Sequence, residues 1–422
     1  MNAPHYNVRL ASTMVGIGVI ALLVTLGIPA LQAMTHSARA VDCENRLRMI
    51  AVSLHTFSVN DPREAFCSGG YDYLRDGCPD TYGWVADFQV LEPLRESEDP
   101  ANPLLCPEYL TFGSATLNDL IGRSESPTQP LVDAGTFADR NIGLCEGFAA
   151  DTDGDGKSDI GLFDPGSSER IDRVDKMVAA GYETNYVASW FLTRSKIRHD
   201  CDGNHIAVVR EEGRVTDPAG SFGPMRRRDL ETGSIPSNAI PFAADGGIAP
   251  GERGSLVSDF GNNFQQGDPL AETQTGGPIA WDQSSGTFLT PQPGMMLVES
   301  GLVSDHNHAH CFTRDEQINY DIKTITPPTK REWLQDTRQW GTPHSSGPLG
   351  ATFACILMAD GRVKRVNDLN GDGVLNPGFQ NVGPGSGYSD STVELAPAIV
   401  WSGPLIPSVR FIGGGFERDD FE

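Results

Sequence analysis

The sequence is short of basic charge. Its 32 Lys and Arg residues stand against 56 Asp and Glu, a formal net charge of −24 over 422 residues. That balance excludes a nucleic-acid binder and argues against docking on anionic lipid, while it favours solubility and divalent cations. Catalytic signatures are missing too. There is no G-x-S-x-G elbow, no H-E-x-x-H, no P-loop and no Rossmann glycine set, so the chain reads as a non-enzyme. A glycosidase carboxylate pair is set by distance in space and leaves no such spacing, and it is the hydrolase alternative. Cys-x-x-Cys is absent, which removes a zinc ribbon or a redox motif. No repeat of about 20 to 50 residues is present, which removes solenoids and propellers.

One stretch lacks charge altogether: "LASTMVGIGVIALLVTLGIPALQAMT", Leu10 to Thr35. As a helix it reaches about 39 Å, enough to cross a hydrocarbon core of about 30 Å. It is longer than a signal-peptide core, and helical periodicity continues past it, so an uncleaved anchor is expected. Arg9 and His5 precede it, which keeps the short end cytoplasmic and turns the rest outward. All eight cysteines (Cys43, Cys67, Cys78, Cys106, Cys145, Cys201, Cys311, Cys355) follow the stretch. An even number on the outer side is compatible with disulfides. Cys67 and Cys78 are the best local pair, and Cys355 also reads as a buried thiol.

Beyond the stretch, Leu47, Ile50, Leu54 and Phe57 recur at three- and four-residue spacing and predict an amphipathic helix packed on its own domain. The 47 glycines and 29 prolines then point to many turns and a β-rich core. "WVADFQVLEPL" fits a strand or a short helix, whereas "TNYVASWFL" and "HIAVVR" read as strands. "ATFACILMADGRVKRV" is the clearest strand signal, with Asp360-Gly361 as a tight hairpin turn. Residues 211–290 read as loop-rich. The expected class is α+β: a long N-terminal transmembrane and spine helix followed by an antiparallel, loop-rich globular domain. Its parts are a cytoplasmic N-terminus (1–9), a transmembrane helix (10–34), a spine helix (35–58), an outward domain (59–378) and a Gly-rich, acidic C-terminal segment (379–422).

Residues 29–57, "PALQAMTHSARAVDCENRLRMIAVSLHTF", carry a resemblance. Pro29, Gln32, Cys43, Asn45, Leu47, Ile50, Leu54 and His55 fall where the planctomycete-type pilin-like family has Pro-Ala-Val-Gln-Ala, Cys-x-Asn-Asn-Leu-x-x-Ile and Leu-His-Asn-Tyr. "LLCPEY" at 104–109 is similar to its Cys-Pro-Ser region, and "TNYVASWF" to its Asn-Tyr strand. Its C-terminal signature is a His, nine residues, then Asp-Gly. Here Asp360-Gly361 is in place, Gly350 stands where the His would, and the nearest preceding His is His344. The resemblance implies a pilin-like fold and a structural role like that of type IV pilins and type II secretion pseudopilins. It implies other pilin-like subunits or secretion components as partners, besides the membrane. Pilins begin the span with Gly-Phe-Thr-Leu-x-Glu; Asn7, Val8 and Ser12 stand there instead, so no prepilin processing is expected.

Two rows of oxygen ligands suggest Ca2+. The first has Asp151, Asp153, Asp155 and Asp159 at positions 1, 3, 5 and 9, the Lys157 carbonyl at 7, and Asp164 beyond the usual position 12. The second has Asp368, Asn370, Asp372 and Asn376, with Val374 at position 7. Against both stands an acidic, Asx-turn-rich loop with no metal. His306, His308 and His310 would share one side of a strand and suit zinc or copper, but histidines in a polar loop are more often solvated. The functional expectation is a membrane-anchored pilin-like structural component with a calcium-stabilised extracytoplasmic domain. The alternative is an anchored binding module for a polymer or envelope protein.

Overall fold

The computed structural model describes residues 5–91, 102–109, 113–122, 137–303, 333–345 and 350–405, save for 152–153, 155–158, 161–162, 164, 202–206, 212, 234, 250, 262–263 and 299–300. The chain is a mixed helix-and-sheet protein with several antiparallel sheets. Its first element is a single helix, α1 (His5–Asn60), and a short second helix, α2 (Trp84–Leu91), packs against it. Among the described side chains of α1, the buried ones lie in its C-terminal part. Ala40, Cys43, Leu47, Ile50, Ala51 and Leu54 are buried in the main core, so the periodic stripe is core packing. Full burial of Leu47, Ile50 and Leu54 contributes about 1.5 to 3 kcal/mol each. The outer face of the same turns carries the i,i+4 pairs Arg46–Asp42 (2.9 Å) and Arg48–Glu44 (3.0 Å).

The sheet under α1 has five strands: β1 (Tyr186–Ala188), β2 (Pro241–Asp245), β3 (His344–Ser345), β4 (Thr352–Met358) and β5 (Val363–Asn367). All its pairings are antiparallel. Strand β5 takes one edge of β4, from Phe353 to Leu357, after the Asp360-Gly361 turn, where Gly361 adopts φ +84°. Strands β3 and β2 share the other edge end to end: His344 pairs with Phe353, and Ala244 pairs with Ile356. Side-chain alternation then sends Phe353, Cys355 and Leu357 into the α1 core, and Ala354, Ile356 and Met358 into a second cluster with Trp340 and Leu395. A sheet buried on both faces explains why the β4 sequence is apolar throughout.

Several expectations are corrected. Among the described residues no helix is long and apolar enough to cross a membrane. That overturns the transmembrane helix at 10–34, the single-pass topology, and the membrane localisation with an extracytoplasmic domain. From Arg39 onward the helix carries Arg39, Asp42, Glu44, Arg46 and Arg48, and its other face packs on the domain. "TNYVASWFL" is only half a strand. After β1, Ser189 Oγ accepts the Leu192 amide at 3.1 Å and starts a helix at Trp190–Arg194. Within 211–290, read as loop, lie β2 and the seven-residue strand Gly276–Asp282. Cys67 and Cys78 do not pair: Cys78 is joined to Cys145, Cys201 is also disulfide-bonded, and Cys67 is a buried thiol facing the Leu192 carbonyl.

Candidate metal centre

The break along the edge of β4 creates a site. Where β3 stops and β2 begins, the Cys355 amide has no strand carbonyl opposite it. It donates instead to Asp245 Oδ2 at 2.7 Å, which draws the last side chain of β2 into the gap. His344, at the end of β3, brings its Nε2 to 3.2 Å from the same oxygen. Cys43 descends from α1 and donates its thiol to Asp245 Oδ1 at 2.8 Å. The donor atoms of Cys43, Asp245, His344 and Cys355 lie within 4.8 Å of one another. All four residues are 0% exposed.

Two more groups close the surroundings. Tyr186 on β1 sets its hydroxyl 3.1 Å from Cys43 Sγ, and Cys106 Sγ lies 3.6 Å from His344 Nε2. Cys106 is held by the side chain of Asn185, whose Oδ1 accepts its amide at 2.6 Å. Burial, with hydrogen bonds to the other two thiols, pushes the Cys43 thiol well above its ordinary pKa. Cys355 moves down: its hydrogen bond with Cys43, aided by His344, outweighs burial. Burial would lower His344, but hydrogen bonds to Asp245, Cys106 and Cys355 raise it far above the usual imidazole value. Among the described residues His344 Nδ1 has no partner. The donor set is two sulfurs, one imidazole and one carboxylate, the mixture that suits a borderline-soft, tetrahedral ion. With every donor buried, the arrangement suits a structural ion better than one that must admit a substrate.

Sequence reasoning named Cys43, His344 and Cys355 separately and did not name Asp245. The segments that carry the family resemblance converge here: Cys43 from the spine, Cys106 from "LLCPEY", Asn185 and Tyr186 from "TNY", and His344 before the Asp-Gly turn. His55, also on the spine helix, sits elsewhere and meets the Ala359 carbonyl at 3.1 Å, beside that turn.

The two expected cation loops lie apart from this centre. The first sits on a hairpin in which Ala149–Ala150 pairs with Asp159–Ile160, and Asp151 Oδ1 accepts the Gly154 amide at 2.7 Å. Asp153, Asp155, Lys157 and Asp164 lie outside the described residues, as do His306, His308 and His310. In the second loop Asp368 Oδ1 accepts the Gly371 amide at 2.6 Å, and Oδ2 accepts that of Gly373 at 2.8 Å. Asp372 Oδ1 accepts the Val374 amide at 3.0 Å, and its Oδ2 accepts from Asn370 and Ser389. Asn376 caps its own turn, accepting from Gly378 and Phe379. Glu394, absent from the sequence-based ligand row, joins from a distant loop. It is 8% exposed; Oε2 accepts the Asn376 amide at 2.9 Å and Oε1 has no partner. Burial, reinforced by Asp372 and Asp368, pushes its carboxyl up to about 7.

Comparison with protein-family models, with characterised proteins and with solved structures returns no match.

Proposed function

We propose that this protein is a pilin-like, pseudopilin-type structural subunit of a secretion or cell-surface assembly, joined to other copies through the outer part of α1. One observation carries the reading. The helix is continuous, but the sheet covers it only from about Ala40 onward, and before that it offers Met14, Val15, Ile17, Ile28, Leu31 and Met34 to solvent. Met34 is 69% exposed and Leu31 64%. Such a set of large apolar side chains on one element is costly in water and calls for a covering surface. An equivalent helix from a second copy supplies one, with the same residues on both sides and the two globular domains left outside the contact.

Calcium belongs to the same reading, as a stabiliser of the domain. The Asp368 loop is the better supported site, because Glu394, held to the loop by the Asn376 amide, keeps a buried Oε1 with no partner among the described residues. Calcium takes hard oxygen ligands of this kind, including carboxylates from outside the loop.

Assembly is tested by cysteine cross-linking in the full chain. Leu31→Cys and Met34→Cys place new thiols on the exposed face, while the native free thiols are buried. Oxidation is expected to give a covalent dimer from each of these variants and none from Arg63→Cys on the globular side. Monomer alone from all variants, at every protein concentration, would overturn the assembly reading.

A further inference from the structure

We propose that Cys43, His344, Cys355 and Asp245 hold one zinc ion that fastens α1 to the central sheet. The inference is independent of assembly, since it concerns the embedded half of α1 alone. Donor type selects the metal. Two thiol sulfurs rule against calcium and magnesium, which take oxygen, and an imidazole with a carboxylate completes a set that zinc accepts in tetrahedral geometry. Size agrees. Zinc bond lengths of about 2.0 to 2.3 Å separate tetrahedral donors by roughly 3.3 to 3.8 Å. The four donor atoms here already fall within 4.8 Å of one another, so small side-chain movements close the shell.

The surroundings are built for a ligand rather than for a hydrogen-bond network alone. Asp245 is divided: Oδ2 is engaged by the Cys355 amide at 2.7 Å, and Oδ1 faces the Cys43 thiol at 2.8 Å. A metal that replaces the thiol proton meets Oδ1 while the amide continues to orient Oδ2, the arrangement in which outer hydrogen bonds steer a ligand. His344 turns its Nε2 toward the cluster, 3.2 Å from Asp245 Oδ2, so a ring nitrogen with a lone pair is available there once its proton is released. On binding, the two thiol protons and any second imidazole proton pass to solvent, and no electron moves. The chain already contains disulfide-bonded cysteines, yet Cys43, Cys106 and Cys355 stand together as thiols. The ligands come from α1, β2, β3 and β4, separated by some three hundred residues of sequence. An ion here joins the helix, which ends at Asn60, to three strands that begin only at Pro241.

The test uses the full chain, purified without chelator and analysed for zinc, copper and iron together. Zinc is expected at about one per chain. Cys43→Ser and Cys355→Ser should each reduce bound zinc at least fivefold, and Cys67→Ser, a buried thiol outside the cluster, should not. Should the two cluster variants fail to fold, the unaltered chain decides. After metal removal it should take up cobalt with the strong visible absorption of tetrahedral thiolate coordination, and zinc should displace that signal. Thiol labelling in denaturant, without reductant but with chelator, should then find Cys43, Cys106 and Cys355 all reduced. A folded, metal-free chain that takes up neither ion, a disulfide among these three cysteines, or copper or iron in place of zinc would each overturn the proposal.

Discussion

The Arg194–Asp76 pair, with side chains 1% and 7% exposed, and the fully buried Cys43–His344 cluster neutralise charge by different means. Arg194 sets Nη1 and Nη2 at 2.8 and 2.6 Å from the two oxygens of Asp76, and its Nε at 2.7 Å from the Thr216 carbonyl. Close by, Arg75 bridges Asp72 and Asp217 at 2.5 and 3.1 Å, and Arg253 bridges Asp119 and Glu272 at 3.0 and 2.8 Å. Burial would raise the Asp72 carboxyl, but Arg75 and Arg253 hold it below its ordinary value. Asp245, in contrast, meets a thiol, an imidazole and a backbone amide. Arginine brings a permanent charge and a planar fork, so a guanidinium–carboxylate centre is complete as folded. Sulfur and imidazole carry only exchangeable protons, so their centre stays open to a metal.

The largest effect should come from breaking the complete centre. Arg194→Met strands a buried carboxylate and is expected to cost about 3 to 5 kcal/mol in urea unfolding, with part of the loss recovered by adding Asp76→Asn. A loss under about 1 kcal/mol would mean that water reaches the pair. The open centre should respond to ions instead. Removing zinc from the full chain is expected to lower stability by about 3 to 4 kcal/mol relative to zinc held 100- to 1,000-fold above its Kd. Arg194→Met should keep that response and Cys43→Ser should lose it; equal chelator sensitivity in both would erase the distinction between the centres.

A third buried carboxylate sharpens the contrast because a proton alone neutralises it. Glu183 is 0% exposed, accepts the Ser114 amide at 2.5 Å, and faces the Tyr71 hydroxyl at 3.3 Å. Burial pushes its carboxyl from 4.5 up to about 8. The folded state therefore holds a proton that the unfolded state has released between those values, and stability falls as pH rises through that window. The loss should be on the order of 3 kcal/mol from pH 5 to pH 8. Glu183→Gln should flatten it; an unchanged pH profile in that variant would assign the dependence elsewhere.

The smallest effect is expected at the Asp368 loop. Millimolar calcium should raise the melting temperature of the full chain by a few degrees over chelator, about 1 kcal/mol. Asn370→Ala with Asp372→Ala should shrink that difference. Glu394 adds a sign. Its carboxyl moves from 4.5 to about 7, so without calcium its ionisation costs stability as pH rises through that range, and calcium should offset the cost. If calcium has no effect at pH 8, the loop is held by its Asx turns alone.

Much of the local structure was legible in residue order. Leu47, Ile50 and Leu54 report a helix face because 3.6-residue periodicity is local, and Asp360-Gly361 reports a hairpin because only glycine takes φ +84° without strain. The ligand row at Asp368 is likewise a matter of spacing. Glu394 could not be found that way, since it reaches the loop from another segment. Strand β2, "PFAAD", has too few branched residues to announce itself, and pairing between β1 and β4 makes it a strand. Hydropathy reads the uncharged stretch before Thr35 as a span, whereas among the described residues no helix is long and apolar enough to cross a membrane. Only the tertiary structure placed Asp245 among Cys43, His344 and Cys355. A centre built from four elements depends on where β3 ends and β2 begins along β4, and strand-edge sharing of that kind is set by long-range pairing, which leaves no period in the chain.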